Sequence, residues 1–171
     1  MVMSWEKRVA ITALAIGLLV SLVYIAYNAQ QRSEDNHERL YRAGSTFVVY
    51  VYHANAYFSL AVSATPQDHV EHIRRAGAHI LAARAAGSWL VDEALRQGIA
   101  AMGIDYFSGV NGEELVLYRG LGVDPELDRR LSIIAKNVRI LHDSLSRELF
   151  RSGDKRRIES VIGGIVLLPP R

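Results

Sequence analysis

The stretch Val9–Tyr27, VAITALAIGLLVSLVYIAY, runs for nineteen residues without a charge. An α-helix rises about 1.5 Å per residue, so roughly 20 apolar residues cross a hydrocarbon core about 30 Å thick. The run therefore predicts a transmembrane anchor in contact with lipid. Trp5 lies before it and Tyr24 and Tyr27 close it, where amphipathic rings favour the two headgroup levels. Lys7 and Arg8 precede it directly, which places residues 1–8 in the cytoplasm and the bulk of the chain outside the cell membrane.

Two rivals stand beside the anchor. A cleaved secretory signal also begins with basic residues and an apolar core, but such cores run about 7–15 residues and need small residues at −3 and −1. Cleavage after Ala26 puts Tyr24 at −3, and cleavage after Ala29 puts Tyr27 there. Without cysteine a lipoprotein signal is excluded. The other rival is a buried helix of an ordinary globular domain.

Beyond the anchor, about 140 residues suffice for one domain with a real core. Twenty basic residues nearly balance eighteen acidic ones, so no global field points to nucleic acid. The absence of cysteine removes disulfides, thiol catalysis and cysteine metal sites.

Residues 28–46 are polar and read as a stalk. Phe47 to Ala64 carries no Asp, Glu, Lys or Arg. Phe47, Val51, Ala54, Phe58 and Ala61 line one helical face. The β-branched and aromatic content also fits a strand, and the lack of charge leaves a second span open. Thr65-Pro66 starts a helix expected to reach about Met102, with Ile73, Ala76, Ile80, Ala83, Gly87, Leu90 and Ala94 on its inner face. Five glycines punctuate 103–123, around a short helix or strand at 113–119.

Asp124-Pro125 opens the most regular helix, expected to stop at Gly153. Leu127, Leu131, Ile134, Val138, Leu141, Leu145 and Leu149 form a coiled-coil-like seam, read as an interaction surface. The tail, 154–171, is basic and then apolar, too short to span, and free to dock in a groove, pair as a strand or rest on a surface. The fold expected is all-α: an N-terminal transmembrane helix at 9–27, a stalk at 28–46, and an antiparallel helical bundle of three to four helices at 47–153.

Histidine supplies the candidate site. His72 and His79 point within about 20° of each other on a helix, and His53 faces the same interior from the preceding segment. Facing histidines ligate haem iron, and three hold zinc or copper. The plainer reading is that His53, His72 and His79 are solvated or hydrogen-bonded, and no cofactor or resident metal is expected. A di-iron bundle needs two Glu-x-x-His pairs, and only Glu34-x-x-His37 is present. Tyr41, Tyr50, Tyr52 and Tyr57 offer a stacking wall or simply packing. The run Arg147, Arg151, Lys155, Arg156 and Arg157 suits lipid headgroups, an acidic partner or a solvated helix end.

No nucleophile elbow, phosphate loop or zinc-protease motif occurs, so no catalytic residue is expected. The function expected is a non-enzymatic, single-pass membrane component that binds a protein partner or a second copy of itself, and not nucleic acid. A ligand- or haem-binding sensory bundle is the alternative. A pilin-like filament subunit is the third, weakened by the lack of an acidic residue early in the apolar segment.

Overall fold

The computed structural model describes residues 5–99 and 112–169, with side chains from residue 16 onward. All the regular structure among the described residues is helical: α1 (Trp5–Val62), α2 (Pro66–Arg96), α3 (Gly112–Val116), α4 (Pro125–Ser144), α5 (Arg147–Arg151) and α6 (Lys155–Gly163). The chain divides into two compact units, residues 1–38 and 39–171.

In the first unit the described part of the apolar run is exposed on every side. Ile16, Leu19, Val23 and Ile25 are 59–65% exposed, and so are their neighbours around the helix. Among the described residues, no helix is long and apolar enough to cross a membrane. The side chains of 9–15, the first part of the predicted anchor, lie outside the described set.

The second unit is a helical bundle. Phe47, Val51, Ala54, Phe58 and Ala61 are all buried, so the face read from the sequence is the face that packs. The segment 47–62 is helical, and the strand alternative is set aside. The β-branched residues that suggested it do not outweigh a continuous apolar stripe against α2. A three-residue turn, Ser63–Thr65, reverses the chain. Thr65 caps α2 by accepting the Asp68 N–H, and Pro66 occupies the first turn. Contacts then run antiparallel: the Nδ1–H of His69 donates to the Ala61 carbonyl, the rings of His79 and His53 meet, and Phe47 lies against Gly87.

Helix α2 ends at Arg96, short of the predicted Met102, which lies outside the described residues. The stop is a Schellman arrangement: Gly98 has φ +76°, its N–H bonds the Leu95 carbonyl and the Ile99 N–H bonds that of Ala94. Ile99 closes it by burying its side chain.

The expected single helix from Pro125 to Gly153 is two. Asp124 caps α4 through the N–H groups of Glu126 and Leu127. The chain then becomes extended at Leu145, φ −111° and ψ 136°, and Ser146 caps α5 by accepting the Leu149 N–H. The cause is local: Asp143, Ser144 and Ser146 favour caps over helix interiors. All seven seam residues are buried in this unit's own core, the last two from beyond the break.

The core extends past 47–153 in both directions. Leu40 and Ala43 are buried on α1, and the tail folds as α6, capped by Asp154, with Ile158, Ile162 and Ile165 buried. Of the fates open to the tail, it docks. Asn137 holds the segment that follows, donating to the Leu168 carbonyl at 3.0 Å and accepting the Leu168 N–H at 2.8 Å.

Candidate functional site

The antiparallel register of α1 and α2 sets aromatic residues of one helix against histidines of the other. His53 and Tyr57 are four apart on α1 and therefore share a face. His79 meets both: its ring centroid lies 5.1 Å from that of His53 and 5.4 Å from that of Tyr57, with planes inclined by 26° and 14°. His72 stands on the far side of Tyr57 at 6.1 Å. The result is a ladder of four rings, His53, His79, Tyr57 and His72, with the Arg75 guanidinium 5.8 Å from the Tyr57 centroid.

The ladder brings His53 and His79 together and keeps His72 apart, because Tyr57 separates it from the pair. Imidazole lone pairs lie in the ring plane. Face-to-face rings thus do not aim nitrogens at one point between them, as ligation requires. Among the described residues, no three His, Asp or Glu side chains are grouped to hold a metal ion. Burial lowers the His79 pKa below its ordinary value, and the neighbouring His53 adds to the shift. The arrangement favours the neutral form of His79. His72 Nδ1 and His69 Nε2 are buried without a protein hydrogen-bond partner.

Beside the ladder, the break between α4 and α5 opens a cavity of about 430 Å³ against α1. Val48, Val51, Leu141 and Leu145 supply its apolar wall, and Tyr52, His53, His142 and Arg147 its polar rim. Tyr52 links the two features: its ring is 6.1 Å from His53 and 5.3 Å from His142. The His142 Nδ1 is engaged by Asp143 at 2.8 Å. Of the tyrosines singled out in the sequence, Tyr50, Tyr52 and Tyr57 join this region, while Tyr41 packs on the core. Sequence reading missed the cavity, although the cap-forming run Asp143, Ser144 and Ser146 signalled the break that makes it.

A second polar knot fixes the loop before α4. Tyr118 is 2% exposed and donates its hydroxyl to Asp128 Oδ1, while Asp128 Oδ2 accepts the Gly122 N–H. Burial and the Asp128 carboxylate push the Tyr118 pKa up to about 12. The Arg74 side chain completes the knot by donating to the Tyr118 carbonyl.

Comparison with known proteins gives no match to a family model, a curated protein or a solved structure.

Proposed function

We propose that this chain is a single-pass membrane protein, anchored through Val9 to Tyr27, whose helical bundle is a structural or partner-binding component on the outer face of the cell membrane. The observation that carries the reading is the exposure of Ile16–Tyr27. Leu18, Val20, Leu22 and Tyr24 are 60–66% exposed and point in different directions around the helix. A helix apolar all round needs an apolar surrounding, whereas one that merely packs on a neighbour needs a single stripe. Covering each such side chain is worth roughly 1–2 kcal/mol, and lipid covers all of them at once.

The partner-binding half rests on a different surface from the leucine seam, which the bundle uses internally. Val62 is 88% exposed, and Leu117, Leu121 and Val123 are 61–72% exposed. These residues lie at the turn between α1 and α2 and in the loop before α4, which Tyr118 brings against His69. Such an apolar tip fits a protein partner or a second copy of the chain.

The test is membrane extraction and topology. The full chain should stay with membranes in alkaline carbonate. Ser63→Cys and Arg139→Cys should react with an impermeant maleimide in intact cells, and Ser4→Cys only after permeabilisation. Release into carbonate, or the reverse labelling pattern, overturns the reading.

A further inference from the structure

The cavity at the α4–α5 break pairs an apolar wall with one uncompensated cation. Nearby arginines are engaged: Arg151 with Glu148 and Arg139 with Asp143. Arg147 makes no ion pair with a described residue, and it lines the cavity beside His142. We propose that this cavity binds a small amphipathic carboxylic acid, its hydrocarbon part against Val48, Val51, Leu141 and Leu145 and its carboxylate on the Arg147 guanidinium.

Size, polarity and charge each narrow the class. At about 430 Å³ the cavity falls in the range of roughly 300–1,000 Å³ usual for small-molecule sites. Its wall is aliphatic, so a sugar or a nucleotide would lose hydration without gaining hydrogen bonds. The guanidinium fork matches a carboxylate through two parallel N–H bonds. One fixed positive charge balances a monoanion. A phosphomonoester dianion would need a second, and the neighbouring His142 already has Asp143 on its Nδ1. The site exists because α4 stops where it does: a helix continued through Leu145 and Ser146 would carry Arg147 round to another face.

The experiment uses the full chain in lipid nanodiscs, titrated calorimetrically with octanoate, 1-octanol and octylammonium. Protein-free nanodiscs titrated in parallel subtract partitioning into lipid, so the outcome does not depend on the anchor. Octanoate should saturate a single site, and the alcohol and the amine should bind at least about tenfold more weakly. Arg147→Gln, at an exposed position, should weaken octanoate by at least about tenfold and leave 1-octanol unchanged. Val49 also lines the cavity, and Val49→Trp, which fills it from that side, should abolish octanoate binding, with circular dichroism verifying the fold of both variants. Absence of saturable octanoate binding, equal binding of octanoate and octanol, or wild-type affinity in either folded variant overturns the proposal.

Discussion

A Cβ atom added to Gly77 would lie 2.9 Å from the Gly112 carbonyl oxygen, and one added to Gly112 would lie 2.9 Å from that of Gly77. The two backbones meet where neither tolerates a side chain, and this contact seats α3 on α2. Gly77→Ala would also place its Cβ 2.5 Å from that of Leu115. Overpacking of this kind costs roughly 1–3 kcal/mol. Chemical denaturation should show that loss, whereas Gly163→Ala, with nothing within 4 Å, should be neutral or slightly stabilising. Equal effects of the two substitutions would contradict the close approach.

The ring ladder makes a pH prediction. His79 is held below its ordinary pKa in the folded chain, so the unfolded chain binds its proton more readily. Stability is then unaffected well above the ordinary histidine pKa near 6.5 and falls as the pH drops through it. Denaturation midpoints at pH 7.5 and pH 5 should differ more for the wild type than for His79→Gln. A variant with the same pH response as the wild type would show that the stacked pair does not set it.

Tyr118 gives the opposite sign at the other end of the scale. Its folded pKa is about 12, against about 10 when unfolded. The stability it contributes is complete below about pH 10 and is lost as the pH rises toward the folded value. Ultraviolet titration should find one of the eight tyrosines ionising late. Tyr118→Phe should remove that step and cost roughly 1–2 kcal/mol at pH 7, since Asp128 loses a donor.

The tail is held by Asn137 at a single residue, Leu168, through two hydrogen bonds. Asn137→Ala should free the segment after α6 while leaving Ile158 and Ile162 buried. Amide exchange at Leu168 should accelerate by roughly tenfold or more, with global stability changed by less than about 1 kcal/mol. Unchanged exchange at Leu168 would mean that other contacts hold the tail.

The sequence determined where α2 and α4 begin and which faces of α1, α2 and α4 turn inward. Thr65-Pro66 and Asp124-Pro125 are strong starts because a cap and a fixed φ act within one turn, and both helices begin there. The stripe from Phe47 to Ala61 and the series from Leu127 to Leu149 were legible because burial follows the 3.6-residue period directly. His53, expected to face the interior, is exposed, while His72 and His79 are half-buried at the edge of the α2 core face.

What only the tertiary structure decided concerns which faces meet and at what height. The register of α1 on α2 inserts Tyr57 between His72 and His79, turning a would-be ligand trio into a stack. The leucine series, read as a surface for a partner, is buried in this chain's own core, in one cluster with residues of α1, α2 and α6. The cap-forming run Asp143–Ser146 permits the break between α4 and α5, and the tertiary structure places Phe150, beyond it, in the core against Gly44. Periodicity within a segment records how much of a helix is buried. It carries no information about which distant segment does the burying, because that choice depends on the summed packing of all of them.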